Sequence, residues 1–183
     1  MSGKFKKVKT EFIRNILSIY KPEYILIQEA FYSPRQVEGR FSNYVYPFTP
    51  EPLFKYLNGT MLMFMLGQLT YVLIGLVIDK GHSPVVESLN LEDFRNIRDT
   101  TQAYFIGLDI KFKQRVPNKD GIKIYMKLVS ERKRNNVIFA KIRFDIEGKI
   151  YGYIDNAMVI NNHNGISNQY KRAYDEDNRI TSF

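Results

Sequence analysis

At 183 residues the chain is long enough for one domain with its own core, without disulfide or metal staples. It contains no cysteine, which excludes thiolate nucleophiles, disulfides and every zinc site with Cys ligands. A formal charge of +8, from 27 Lys and Arg against 19 Asp and Glu, suits an anionic partner: nucleic acid, a phosphate-bearing cofactor or an acidic carrier protein.

The Lys-rich start, Met1 to Lys9, lacks the apolar run and small-residue cleavage site of a signal peptide, so none is expected. Val8, Phe12, Ile13, Ile16, Leu17 and Tyr20 recur at helical spacing, with Glu11, Arg14, Asn15 and Ser18 between them. This predicts a short amphipathic helix at the N-terminus, residues 1–19, stopped before Pro22. Tyr24 to Tyr32 is apolar and β-prone, and Ser33-Pro34 breaks it. Phe41 to Phe48 alternates loosely and predicts a second strand, with Pro47, Pro50 and Pro52 marking a bent connection.

The segment from Tyr56 to Ile78 holds no charge, between Lys55 and Asp79. Its length would cross a bilayer. Asn58, Gln68 and Thr70 are polar, however, and Gly67 and Gly75 favour close backbone approach to something solid. The reading is a central helix, apolar all round because a sheet wraps it, with no membrane span. A shorter helix begins after Asn90, its expected N-cap, with Asp93 three residues on. Then the period changes. Tyr104 to Arg115, Ile122 to Arg132, Val137 to Glu147 and Lys149 to Ile160 each read as a strand, joined by turns at Pro117–Gly121, Lys133–Asn136 and Gly148. From Asn161 the chain is polar and charged, so 161–183 is expected to be a flexible tail. The order is helix, two strands, long apolar helix, short helix and a four-stranded antiparallel meander. That is an α+β layering in which residues 20–160 form a curved antiparallel sheet around one helix, the hotdog arrangement.

Three stretches resemble the FcoT-like acyl-thioesterases of the hotdog superfamily. Tyr20 to Ser33 is similar to that family's first helix end and first strand. Tyr56-Leu57-Asn58, followed by Gly67-Gln68-Leu69-Thr70-Tyr71, is similar to its central helix. Leu91 to Phe94, leading to Phe112-Lys113-Gln114-Arg115-Val116-Pro117, is similar to its second helix and next strand. The resemblance implies a long acyl tunnel, a site at a dimer interface and no Ser-His-Asp triad. Gly59 to Gln68 also resembles the central helix of hotdog hydroxyacyl-carrier-protein dehydratases, which place a Glu there as general acid or base. Here Phe64 occupies that position and cannot move a proton. The preceding His-Phe-Pro element is replaced by Tyr46-Pro47-Phe48.

A thioester carbonyl can be polarised by free N–H groups at a helix start. The candidate donors are the amides of Gly59 and Thr60, with Asn58 as cap or water-positioning group and Tyr20 and Tyr56 as hydrogen-bonding partners. Asn58 is equally explained as an ordinary N-cap, and the tyrosines as ordinary wall aromatics. Phe64 and Gln68 are candidate substrate contacts. Gln68 either faces the cavity or bonds backbone across a dimer, since an unpaired amide in an apolar helix is costly. Lys113 and Arg115 on the first meander strand, and Arg132 and Lys133 in a hairpin, are candidates for coenzyme A phosphates or carrier-protein carboxylates. A solvated surface looks the same. Glu29 and Glu51 are the nearest carboxylates to a base role, and both read better as solvated or turn residues. His82 and His163 have no companions at metal-ligand spacing, so neither metal nor cofactor is expected. Nucleic acid is the weaker anionic partner, because no recognised binding motif is present.

The expectation is a cytoplasmic fatty acyl-CoA or acyl-carrier-protein thioesterase, a homodimer or dimer of dimers. Two alternatives stay open: a hotdog enzyme of isonitrile lipopeptide biosynthesis adding glycine to the β-carbon of an enoyl thioester, and a non-catalytic acyl-binding module.

Overall fold

The computed structural model describes residues 4–43, 55–86 and 89–160. The elements run β1 (Lys6–Lys7), α1 (Thr10–Ile16), a 3₁₀ turn (Pro22–Tyr24), β2 (Ile27–Ser33), β3 (Gln36–Phe41), α2 (Gly59–Asp79), α3 (Leu91–Asp99), β4 (Ala103–Phe112), β5 (Ile122–Arg134), β6 (Val137–Ile146) and β7 (Ile150–Val159). All seven strands join one antiparallel sheet in the order β1-β2-β3-β5-β6-β7-β4. The edges are therefore the two-residue β1 and the much longer β4.

Strand alternation sorts residues to two faces. Val37, Ile124, Met126, Leu128, Ile142, Phe144 and Ile154 are buried on the inner face, against α2. Lys127, Lys141, Arg143 and Tyr153 alternate with them on the outer face. One-residue slips interrupt the pairing between Ile27 and Glu29, between Phe105 and Gly107, and between Leu128 and Ser130. Such bulges bend a sheet and sharpen its twist.

α2 is long and apolar enough to cross a membrane, but most of it is buried inside the sheet. From Val72 to Ile78 every residue is buried. Gly75 lets α1 pack close: a Cβ there would meet Ile16 Cδ1 at 2.9 Å. α3 begins with a full capping box, Asn90 accepting from the Asp93 amide while the Asp93 carboxylate accepts from the Asn90 amide. From its last turn the buried Arg98 donates to the carbonyls of Asn15 and Ile16 and to Ser18 Oγ. It thus satisfies the carbonyl end of α1 and places a cation where that helix dipole is negative.

The sequence expectations meet three corrections. The N-terminal segment is not a lone helix, because β1 pairs with β2 at Lys6↔Tyr32 and Lys7↔Phe31. The second strand lies at Gln36–Phe41, before the expected Phe41–Phe48. Its inner residues are Val37, Gly39 and Phe41, and the glycine, seated against Leu69, breaks the apolar alternation that would have marked it. Most of Phe41–Phe48 lies outside the described residues, as does the tail from Asn161. Finally, β4 ends at Phe112, so Lys113 and Arg115 stand beyond the strand rather than on one face of it.

Candidate functional site

Asn58 is the N-cap of α2. Its backbone is extended and its Oδ1 accepts from the Met61 amide at 3.0 Å, while its carbonyl accepts from the Leu62 amide at 3.0 Å. The amides of Gly59 and Thr60 precede the first intrahelical bond and have no acceptor among the described residues. Both residues are exposed, and nothing lies within 4 Å of where a Gly59 Cβ would stand. Two donors at the positive end of a 21-residue helix therefore open onto accessible space.

The chain entering α2 is fixed by the β4–β5 connection. The Leu57 amide donates to Val116 O at 2.9 Å and the Asn118 amide to Lys55 O at 2.9 Å, with Tyr56 bridging Pro117. This brings the Arg115 guanidinium over the Tyr56 ring, 5.5 Å from its centroid. Tyr56 is 44% exposed, so this cation sits at the surface, on a ring three residues before Gly59. Asn58, Gly59, Thr60, Tyr56 and Arg115 are thus brought together.

A second group lies further along α2. Thr60, Met63, Phe64, Gly67 and Tyr71 share one helix face by their spacing, and this is the face that the sheet leaves uncovered. Met63 is 54% exposed, and Phe64, Gly67 and Tyr71 are half-buried. Tyr20 leans over this stripe, its ring edge-on to Phe64 at 5.4 Å between centroids. Its hydroxyl would lie 3.9 Å from a Gly67 Cβ. Burial is the main cause that pushes the Tyr20 phenol up to about 12, with Tyr71 adding to it and Arg98 opposing it. Burial likewise raises Tyr71. Tyr20 is therefore a neutral hydrogen-bonding group at physiological pH. It is not beside the amides, because Gly59 and Gly67 are separated by about 12 Å of helix rise. The approach at Gly67 is loose: an added Cβ would make only an ordinary contact with Tyr20 Oη at 3.9 Å.

Gln68 flanks this stripe, less than a quarter-turn round α2 from its centre, and is fully buried. Its Oε1 accepts from the Leu26 amide at 3.0 Å and its Nε2 donates to Tyr24 O at 2.6 Å. Both ends of the amide tie the chain entering β2 to the core helix within one protomer, so Gln68 neither faces substrate nor bonds a second copy. Lys113 turns away from α2, its Nζ 4.8 Å from the Tyr151 ring centroid. Arg132 and Lys133 lie at the other end of the sheet. Lys133 pairs with Ile138, whereas Ile146 pairs with Ile150, the partner of Phe112. Eight residues of β6 separate these positions, about 26 Å along the strand. The two basic groups do not form one site within a protomer.

Glu29 is held on β2 by Lys7 Nζ at 2.6 Å and Arg40 Nη1 at 3.1 Å. The Lys7 hydrogen bond, above all, lowers its pKa, which makes it a weaker base. His82 follows the C-terminal end of α2, its Nδ1 2.6 Å from Tyr32 Oη. Glu51, Tyr46 and His163 lie outside the described residues. Sequence reasoning missed Met63 and Tyr71, although both are spaced for the same face as Thr60. In a uniformly apolar helix, periodicity cannot show which side is uncovered.

No family model matches the chain, and no curated protein does. Among solved structures, the CurJ dehydratase, as an inactive His→Phe mutant with a bound compound, superposes at TM-score 0.51 and 14% identity. The dehydratase domain of the CurJ module of the curacin polyketide synthase superposes at TM-score 0.50 and 12% identity. Each likeness covers 84% of this chain and 48% of the other, so the chain spans about half the length of those two. A mutant of thioesterase PA1618 from Pseudomonas aeruginosa aligns over 84% of this chain and 96% of its own, at TM-score 0.49 and 11% identity. The likeness to the two dehydratase structures extends to the fold: this chain has the hotdog fold.

Proposed function

We propose that the chain hydrolyses a fatty acyl thioester carried on coenzyme A or on an acyl carrier protein. One observation carries this reading: a partly exposed apolar stripe on α2 begins at two amides with no acceptor among the described residues. The Gly59 and Thr60 N–H groups would hold the thioester oxygen as negative charge develops on it. The acyl chain would lie along Met63, Phe64 and Gly67, under Tyr20. Arg115, on the Tyr56 ring, would meet the phosphate of the carrier's arm. A water oxygen bonds to the carbonyl carbon, the C–S bond breaks, and a water proton goes to the departing thiolate. Asn58 retains its Nδ2 to orient that water while its Oδ1 caps the helix. The resemblance to FcoT-like thioesterases in the Asn58 and Gly67–Tyr71 segments points the same way.

Dehydration is the less favoured chemistry, although dehydratases share the fold. The CurJ dehydratase is inactive when one histidine becomes phenylalanine. Here the α2 position resembling a dehydratase acid is Phe64, and His82 is a helix length, about 30 Å, from Asn58. A dimer formed through edge strand β4 belongs to the same reading, since β4 is long and unpaired on one side among the described residues.

Purified chain should be incubated with saturated and 2-enoyl thioesters on coenzyme A and on carrier protein, with and without glycine, and the products weighed by mass spectrometry. The expected products are free acid and thiol in equal amounts. An intact thioester that gains the mass of glycine would replace hydrolysis with addition. Recovery of every thioester unchanged would leave an acyl-binding role.

A further inference from the structure

The apolar stripe of α2 is partly exposed from Thr60 to Tyr71 and closed beyond it. Ile74 and Gly75, the next residues on that side, are buried, and the space over Gly75 is filled by Ile16 and Phe94. Phe94 also backs the Tyr71 ring, at 6.3 Å between centroids. A chain running along the stripe from the Gly59 amide therefore meets a wall at Tyr71.

Two hydroxyls gather at that closed end. Tyr20 Oη stands 3.9 Å from where a Gly67 Cβ would be. A long helical side chain lies back over the turn before it, and for Tyr71 that turn holds Gly67. Tyr71 is near enough to help raise the Tyr20 phenol, and the Arg98 charge reaches both rings. Both tyrosines are half-buried, and neither hydroxyl has a hydrogen-bond partner among the described residues. Tyr32 differs, since its hydroxyl meets His82 Nδ1 at 2.6 Å. A wholly apolar chain laid over Tyr20 and Tyr71 would strip their water and return no bond, whereas a chain with an oxygen there would replace what it displaced.

We infer that Tyr20 and Tyr71 select an acyl chain carrying a neutral oxygen function, a hydroxyl or a carbonyl, about ten carbons from the thioester. This rests on the acyl path proposed above. The position follows from the rise of about 12 Å between Gly59 and Gly67, which an extended chain covers at about 1.25 Å per bond. The group is neutral because Arg98 is already engaged: it donates to the carbonyls of Asn15 and Ile16, to Ser18 Oγ and to Asp99 Oδ1. A carboxylate would bring its charge into half-buried space with that cation already paired.

Isothermal titration tests this without turnover, using ketone analogues of pantetheine thioesters in which a methylene separates carbonyl from sulfur. These cannot be hydrolysed and carry the arm common to coenzyme A and carrier protein. Their chains, of about ten carbons, end in methyl, hydroxyl, methyl ketone or carboxylate. The hydroxyl or ketone probe should bind about tenfold more tightly than the methyl probe, and the carboxylate no more tightly than methyl. Tyr20→Phe with Tyr71→Phe should abolish the preference while the methyl probe binds as before, which separates lost hydrogen bonding from misfolding; each single variant should remove part of it. Equal affinity for methyl and oxygenated probes, a preference that survives the double variant, tightest binding of the carboxylate, or no binding of any probe would each overturn the inference. A preference of this kind without hydrolysis of any thioester would remove the hydrolytic reading and leave this one standing. Hydrolysis of plain and oxygenated thioesters at equal kcat/KM, with equal probe affinities, would do the reverse.

Discussion

Replacing Gly67 with alanine should stabilise the fold and impair long-chain turnover together. A glycine in a helix interior costs about 1 kcal/mol relative to alanine. A glycine packed against its surroundings would offset that gain with a clash, as at Gly75, where a Cβ would press on Ile16 at 2.9 Å. At Gly67 the nearest atom to an added Cβ is Tyr20 Oη at 3.9 Å, an ordinary contact. The full gain should appear as a rise in Tm of about 2–4 °C for a domain of this size. The same methyl intrudes on the groove that the proposed acyl path requires. Gly67 lies about 12 Å along the helix from the Gly59 amide, a span of roughly ten carbons at about 1.25 Å advance per bond. Thioesters from butyryl to palmitoyl should therefore divide. The short ones should be unaffected, and the long ones should lose kcat/KM about tenfold, the scale of one misplaced methyl in an apolar pocket. A fall in Tm would refute the reading of an unstrained contact. A rise in Tm with unchanged long-chain kcat/KM would refute the path.

Asn58→Ala should lose about 1 kcal/mol of stability as a missing cap and about 100-fold in kcat if the residue also orients water. Asn58→Ser, which keeps a capping oxygen, should restore Tm but not kcat. Gln68→Leu should cost about 2–4 kcal/mol in urea unfolding, because the Leu26 amide and Tyr24 carbonyl both lose their partner. The Tyr20 phenol is held at about 12 in the fold against an ordinary 10, so its neutral form is favoured by folding. That stability is fully present below pH 10 and lost as pH rises toward 12, and Tyr20→Phe should flatten the alkaline loss seen in urea melts. Light scattering at micromolar concentration should give twice 21.6 kDa, and a monomer mass would remove the β4 pairing.

Much of the architecture is legible because its signals are local. The alternation of Ile122, Ile124, Met126 and Leu128 and of Ile138 to Ile146 fixes two strands and their inner face, and the turns between them force antiparallel pairing. Asn90 with Asp93 marks α3 to the residue. The site is legible only at the start of α2, where Asn58 caps and the Gly59 amide follows. What failed depends on long-range packing. Gln68 reads as either a substrate contact or a backbone tie across a dimer until the chain entering β2 is seen to use both ends of its amide. Arg132 and Arg115 read as one basic surface until register puts them at opposite ends of the sheet. Arg98 carries no sequence signal at all, because its partners are carbonyls more than 80 positions away.

The covering of α2 is graded along its length, and the proposed site lies at its more open end. Residues Val72 to Ile78 are enclosed by the sheet and α1, whereas Gly59, Thr60 and Met63 face outward. The sheet thins in the same sense toward its β4 edge. Leu108, Ile110 and Phe112 register with the inner residues Ile154, Gly152 and Ile150, yet remain half-buried or exposed. The enclosed half anchors the helix rigidly, and the open half presents the amides and the apolar stripe without loops of its own. A site held on a rigid element keeps its geometry better than one on a mobile loop. The two halves should therefore answer mutation differently. Truncations such as Leu73→Ala, in the enclosed half, should remove about 2–5 kcal/mol of stability as cavities. Met63→Ala, in the open half, leaves no buried void to collapse, so its effect should fall on acyl-chain binding instead.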